Sequence, residues 1–167
     1  MNTSMSHNCY GICQVETPFG MWWLAANERG ICRLTPQRIT PGELTTIPLQ
    51  IAQHLALATK ELAAYFRGDL MRFSVALDIN GTPFQQQVWR QLCAIPYGER
   101  CSYGELAATL GRPNAYRAVG TANGANRIGI IIPCHRVVGS NGKLTGYAHG
   151  LEVKQYLLNL ETSNPSR

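Results

Sequence analysis

Residues 102–122 read SYGELAATLGRPNAYRAVGTA, and the second half of the chain takes its architecture from them. Ser102 and Glu105 stand three apart, the spacing at which a hydroxyl and a carboxylate satisfy each other's backbone N–H groups at a helix start. The helix opened there runs from Tyr103 to Leu110 and stops at Gly111. A second begins at Pro113, a residue suited to the first helical position, and passes through Tyr116, Arg117, Ala118 and Val119 to about Ala122. Two helices divided only by Gly111-Arg112-Pro113 match a helix-turn-helix, whose second helix commonly enters a DNA groove. An ordinary αα-hairpin has the same outline. Arg117 set among the small residues Ala115, Ala118 and Gly120 tilts the balance towards DNA, because small side chains permit close backbone approach. Just upstream, Thr82, Pro83 and Gln85 form another capping signature and open a helix that reaches about Ala94.

Working towards the N-terminus, β-favouring segments alternate with turns: Tyr10 to Glu16, Met21 to Ala26 and Ile31 to Thr35, separated by Thr17-Pro18-Phe19-Gly20 and Asn27-Glu28-Arg29-Gly30. They predict an antiparallel meander. Ile51, Leu55, Ala58, Leu62 and Phe66 recur at helical spacing across residues 49–66, with Gly68 as the stop. A strand is expected over Phe73 to Ile79. Asn80-Gly81 then marks a turn, and the domain boundary is placed there. The fold class is α+β: a small N-terminal αβ unit (residues 1–80) with an antiparallel sheet, then a mainly helical unit (residues 81–167). The polar tail from Thr162 to Arg167 is expected to fray.

At 167 residues, with 45% hydrophobic and 15% charged, the chain has the length and apolar content to fold around a core. Nothing in it approaches the ~18 consecutive apolar residues of a membrane helix, and its start lacks the layout of a signal peptide. A soluble cytoplasmic protein of the prokaryotic cytosol or nucleoid, with no membrane partner, is expected. Cys9, Cys13, Cys32, Cys93, Cys101 and Cys134 are scattered, and a reducing compartment would keep all of them as thiols. The net charge of +5 is uneven along the chain. Residues 1–80 hold six basic and six acidic residues, whereas residues 81–167 hold nine basic and four acidic. The whole excess lies in the second half, where it would favour a polyanion or simply solvate a surface.

The chemistry centres on Ile130-Ile131-Ile132-Pro133-Cys134-His135-Arg136-Val137-Val138, an apolar β-run ending in a proline and followed at once by a thiol, an imidazole and a guanidinium. A cysteine closing a buried strand is usually a small hydrophobe. A reactive one needs a base or a cation to favour the thiolate, and His135 and Arg136 are candidates. Adjacent side chains on a strand face opposite ways, so either the chain turns at Pro133-Cys134 or a water bridges thiol and imidazole. An imidazole base also needs an orienting carboxylate. Of those that follow, Glu152 belongs to the first turn of a helix predicted over 151–161, where the dipole accounts for it. Glu161 adjoins the apolar stripe Leu151, Tyr156, Leu157 and Leu160, and is the better orienter.

Pro133-Cys134-His135-Arg136-Val137-Val138 resembles the active-site hexapeptide of the O6-alkylguanine-DNA alkyltransferases, or methylated-DNA-protein-cysteine methyltransferases. The likeness extends from Thr82-Pro83-Phe84 through Ser102-Tyr103, Arg117-Ala118-Val119-Gly120, Asn126, Gly146-Tyr147 and Lys154 to Leu157-Leu158 and Glu161. It covers the second half densely and the first 80 residues only as a topology.

The resemblance implies direct-reversal DNA repair. Cys134 would accept the alkyl group of O6-alkylguanine in double-stranded DNA, irreversibly and once per molecule, after the nucleotide is flipped out; O4-alkylthymine is a second candidate substrate. His135 would be a water-linked base, Glu161 its orienting acid, and Asn126 the hinge residue holding the strand before the nucleophile. Tyr103, Tyr147, Ala148 and Lys154 would bind the base. Arg117 would fill the gap left in the stack, and Gln85, Gly104 and Ser140 would touch DNA, in the minor groove. No cofactor is implied, and a monomer is expected, with clustering along DNA. Some relatives hold a structural zinc; the matching positions here are Asn8, Asn27 and Cys32, so no metal site carries over, and Cys9 and Cys13 have no zinc-like spacing. Two departures stand out: Tyr116 replaces a small residue beside Arg117, and His149 replaces a glycine near the pocket, where it would narrow the range of alkyl groups accepted. Two rival readings are a non-catalytic protein that binds alkyl lesions, which Cys134 argues against, and a cysteine hydrolase, which would leave the helix-turn-helix and the one-sided charge unexplained.

Overall fold

The computed structural model describes residues 10–40 and 46–163. Strands β1 (Gly11–Thr17), β2 (Gly20–Asn27) and β3 (Gly30–Thr35) form the expected meander in that order, joined by tight turns at Thr17↔Gly20 and Asn27↔Gly30. Helix α1 (Leu49–Phe66) packs Ile51, Leu55, Ala58 and Leu62 into the core with Leu24, Ile31 and Leu34 of the sheet. The predicted stripe is right except at its end, where Tyr65 rather than Phe66 is fully buried. Close packing of α1 on β1 depends on Gly11, since a Cβ there would lie 2.3 Å from the Ile51 side chain.

Residues 73–79 do not form the expected strand; Leu77 makes an isolated bridge to Ile31, and the backbone is otherwise irregular. Ile31 of β3 donates to the Ala76 carbonyl and accepts from Asp78 N–H, both at 2.8 Å, and a side chain anchors the residues before them. The buried Glu61 carboxylate on α1 accepts from the Ser74 and Val75 N–H groups and from the Ser74 hydroxyl. Asp78 is held by Asn27 Nδ2 at 2.6 Å.

In the second half, α2 (Pro83–Cys93) and α3 (Tyr103–Thr109) carry the capping boxes at Thr82/Gln85 and Ser102/Glu105. A 3₁₀ turn at Pro113–Ala115 leads into α4 (Tyr116–Gly124), so the second helix of the pair begins later and extends further than its sequence pattern indicated. The Trp89 indole N–H donates to the Ala122 carbonyl at 2.8 Å and fixes α2 against α4. Strand β4 (Cys101–Ser102) pairs in parallel with β5 (Val137–Val138). The final helix, α5 (Leu151–Ser163), buries Val153, Lys154, Leu157, Leu158 and Glu161. The expected stripe is therefore corrected: Leu151 and Tyr156 are exposed, Tyr156 meeting Phe19 edge-on, and Glu161 lies on the buried face itself.

Ile130 to Ile132 are buried but form a turn rather than a β-run. Ile130 has φ 70°, a left-handed conformation that is costly for a β-branched residue, and local bonds close the turn: Ile132 N–H to Ile128 C=O at 3.0 Å and Cys134 N–H to Ile132 C=O at 2.8 Å. A continuous apolar run reads alike whether it buries as a strand or as a compact turn. The cysteine expectation is also corrected at Cys32, which is disulfide-bonded; Cys13, Cys93, Cys101 and Cys134 are thiols, and Cys9 and Asn8 lie outside the described residues. Composition does not show which sulfurs meet in space. Among the described residues no helix is long and apolar enough to cross a membrane.

Replacing Glu61 by Ala strands two backbone donors and should lower stability by about 3 kcal/mol. Urea unfolding of Glu61→Ala against the parent chain measures this, with Glu61→Gln recovering part of the loss.

Candidate active site

Of the two alternatives at Pro133-Cys134, the chain does turn there. Cys134, His135 and Arg136 form one turn of 3₁₀ helix between Pro133 and β5, and all three are buried. Asn126, just beyond α4, braces this turn from one side. Its Nδ2 donates to the Ile132 carbonyl at 3.0 Å and to Cys134 Sγ at 3.1 Å, while its Oδ1 accepts from Ile128 N–H at 3.0 Å. It holds a turn, not a strand, in front of Cys134. Asn123, buried on α4, donates to the Cys134 carbonyl at 3.3 Å.

Glu161 gathers the other side. Its carboxylate accepts from His135 Nε2 at 2.8 Å, Arg136 Nε at 2.9 Å, the Arg136 Nη2 at 3.0 Å, the Tyr65 hydroxyl at 2.7 Å and Gly98 N–H at 3.2 Å. Burial alone would raise its pKa, but donation by His135 and Arg136 outweighs burial and holds it down at about 2. An ionised carboxylate only accepts, so His135 carries its proton on Nε2. Burial lowers the His135 pKa more than Glu161 raises it, with Arg136 and Lys154 acting in the same direction as burial. His135 thus rests as a neutral base, and its Nδ1 is buried without a hydrogen-bond partner. Arg136 does not serve as a cation for the thiol: its fork grips Glu161 and its remaining nitrogen donates to Ile95 C=O at 2.6 Å.

Burial pushes the Cys134 pKa up, and the opposing influences of Asn126, the Lys154 charge and the nearby Tyr147 hydroxyl are smaller. That hydroxyl is buried and makes no hydrogen bond of ordinary geometry. The sulfur nevertheless faces open space, a cavity of about 150 Å³ walled by Tyr103, Gly120, Asn123, Tyr147 and Ala148 among others. Gly120 lies against the Tyr103 ring, and the Tyr103 hydroxyl donates to Thr145 C=O at 3.2 Å. Lys154 is fully buried, and its ammonium donates to the carbonyls of Val137, Thr145 and Gly146 at 2.6, 3.2 and 3.2 Å. It fastens the cavity loop to β5 and does not line the cavity.

His149 also lies off the cavity, so it does not narrow it directly. Its ring sits between Trp22 (4.7 Å) and Tyr147 (5.4 Å) and backs the Tyr147 wall. Arg117 is exposed on α4 with its guanidinium over the Tyr116 ring at 5.7 Å. Gly104 and Ser140 are exposed, each two residues beyond the paired Ser102 and Val138, so the β4–β5 pairing brings them to one end of the site. The Gln85 side chain is engaged in its helix cap, accepting from Thr82 N–H at 2.9 Å. Arg112 over the neighbouring Phe84 ring at 5.3 Å sets that cap beside the turn between α3 and α4. Sequence reasoning missed Tyr65, Gly98 and Asn123. Tyr65 carried a signal, a hydroxyl at a core position of α1; the Gly98 backbone carried none.

Residues 83–163 match the family described as 6-O-methylguanine DNA methyltransferase, DNA binding domain, and residues 9–79 match its ribonuclease-like domain. The methylated-DNA–protein-cysteine methyltransferase of Methanosarcina barkeri is 48% identical over 154 residues, spanning 90% of this chain and 96% of that protein. The solved O6-methylguanine methyltransferase of Mycobacterium tuberculosis superposes with a TM-score of 0.79 at 44% identity, covering 93% of this chain and 95% of the other. A structure of the OGT of the same bacterium in complex with DNA gives 0.77 at 44% identity, covering 90% and 92%.

Because the folded-state pKa of Glu161 lies below the ordinary value of 4.5, its ionised contacts stabilise the fold fully above that pH and lose this contribution as pH falls towards about 2. The contribution is on the order of 3 kcal/mol. Glu161→Gln should lower stability at neutral pH and flatten the dependence across that acid window, as read by denaturant unfolding at stepped pH.

Proposed function

This chain belongs to the 6-O-methylguanine DNA methyltransferase family, and from that premise we propose that it repairs DNA by moving the alkyl group of O6-alkylguanine onto its own Cys134. The observation that carries this reading is a cysteine lining a cavity and followed in sequence by a buried neutral histidine that is hydrogen-bonded to an ionised glutamate. A non-catalytic lesion binder has no use for that arrangement.

The lesion's alkyl carbon is inside the duplex, so the nucleotide swings out into the cavity at a cost of a few kcal/mol, less for a poorly paired damaged base. Arg117, exposed at the start of α4, enters the stack in its place. Gly104, Ser140 and Gln85 hold the backbone alongside. The thiol rests protonated, so deprotonation accompanies attack: the proton passes through a bridging water to His135 Nδ1, and the imidazolium formed is stabilised through Nε2 by Glu161. A sulfur–carbon bond forms as the carbon–O6 bond breaks, and the guanine that leaves takes up a proton, with Tyr103 of the cavity wall as the donor. Tyr147 and Ala148 wall the base, and Lys154 keeps their loop in place. The product is a thioether, which neither activated water nor thiol exchange reverses, so each molecule acts once.

We place the division of labour at residue 80, with residues 1–80 as scaffold and 81–167 as the DNA-binding and transferring unit. The protein works as a monomer, clustering along DNA, in the cytosol or nucleoid. O4-alkylthymine is a second substrate.

Incubation with duplex carrying labelled O6-methylguanine should move one label per molecule to Cys134, seen by mass spectrometry; label remaining on bound DNA, or repeated turnover, contradicts the reading. Cys134→Ala should abolish transfer and keep DNA binding. Arg117→Ala should slow transfer from duplex at least tenfold more than transfer from free O6-methylguanine, and an equal loss on both removes Arg117 from the flipping step.

A further inference from the structure

A second cavity, of about 320 Å³, adjoins the first and shares Gly124, Asn126 and Ala148 with it. Its walls carry Arg33, Arg38 and Arg127, together with Thr35 and Gln37, and no carboxylate. Leu34 and Ile128 form a parallel bridge, with Leu34 N–H donating to Arg127 C=O at 2.9 Å. The residues immediately before each bridge partner are Arg33 and Arg127, so the main chain sets these two side by side. Neither has an ion-pair partner among the described residues, and Arg38 rests over the Trp23 ring at 6.0 Å. Like charges on directly neighbouring strand positions repel, and among the described residues no carboxylate stands within ion-pair distance of either.

From this geometry we infer that the arginine cavity is a phosphate site, occupied by a backbone phosphodiester of the DNA strand that carries the flipped nucleotide. The inference rests on the reading given under Proposed function and adds to it a contact made by the N-terminal sheet. Arginine forks match phosphate oxygens in pairs, and Thr35 and Gln37 add neutral polar groups. Position agrees with chemistry. Arg117, Thr121 and Gly124 are exposed along one face of α4, and Gly124 lines the cavity, with Arg127 three residues beyond it. The seven residue steps from Arg117 to Gly124 span about 10 Å at helical rise, which is roughly three base-pair steps of duplex. A strand followed from the arginine finger along α4 therefore reaches the cavity about three to four nucleotides from the gap.

The test is the salt dependence of binding to lesion-bearing duplex. Each phosphate contact contributes about 0.9 to the slope of log K against log salt. The variant Arg33→Gln/Arg38→Gln/Arg127→Gln should lose at least about one unit of slope. Its transfer from free O6-methylguanine, which needs no backbone contact, should stay at the parent rate. A single methylphosphonate placed about three to four nucleotides from the lesion should weaken the parent and leave the variant unaffected. Arg72→Gln, an exposed arginine away from the cavity, is the control for loss of charge alone. An unchanged slope in the triple variant overturns the inference, including in favour of a free nucleotide as the ligand, and so does an equal fall in the control. Failure of the parent chain to take a methyl group from the free base would overturn the reading of Cys134 and leave the slope comparison valid.

Discussion

One carboxylate holds the reactive centre together. Glu161 takes donors from α1, from the loop after α2, and from two successive residues of the 3₁₀ turn, so elements far apart in sequence meet on its two oxygens. Burying an anion is unfavourable unless its acceptor sites are filled, and here they are filled by a guanidinium fork, a phenol, an imidazole and an amide. The consequence for chemistry is the state of His135. With Glu161 ionised and Arg136 supplying the balancing positive charge, the imidazole stays neutral, with its proton fixed on Nε2 and its free lone pair on Nδ1. Arg136 therefore acts on the base rather than on the sulfur.

The sulfur itself is kept in reserve. Burial favours the thiol, which guards a residue that can be used only once against oxidation and stray alkylation, both of which select for exposed thiolate. Asn126 binds the sulfur and the Ile132 carbonyl together, and the left-handed Ile130 lets the backbone turn just before Cys134. Strain at this position is consistent with a turn whose geometry is set by the reaction more than by local preference.

Much of this was legible in the sequence, and what was not has identifiable causes. The capping boxes, the Pro-Gly punctuation and the period of α1 state local preferences that tertiary packing leaves in place, so the meander and the helices appear almost where the pattern puts them. Cys134, His135 and Glu161 were legible because each residue type is chemically unusual at its position. Residues 73–79, with apolar residues at every second position, and the apolar run 130–132 misled for one reason: both patterns signal burial, and burial can be met by side-chain anchoring or a compact turn as well as by strand pairing. The stripe on α5 failed because it counted apolar residues alone, whereas the buried face includes Lys154 and Glu161, charged residues that enter the core only because carbonyls and donors await them. Charge showed the same limit. Counted along the chain, the first half is balanced, yet in space Arg33 and Arg38 stand with Arg127 in an acid-free hollow.

The scattered origin of the Glu161 donors has a consequence for how the molecule is made. During translation, Tyr65, Cys134, His135 and Arg136 all leave the ribosome before Glu161 does. Until the last helix docks, the nascent polypeptide carries its sulfur without an oriented base, beside an imidazole whose tautomer nothing selects. Assembly of the His135–Glu161 pair therefore waits on α5 closing on the rest.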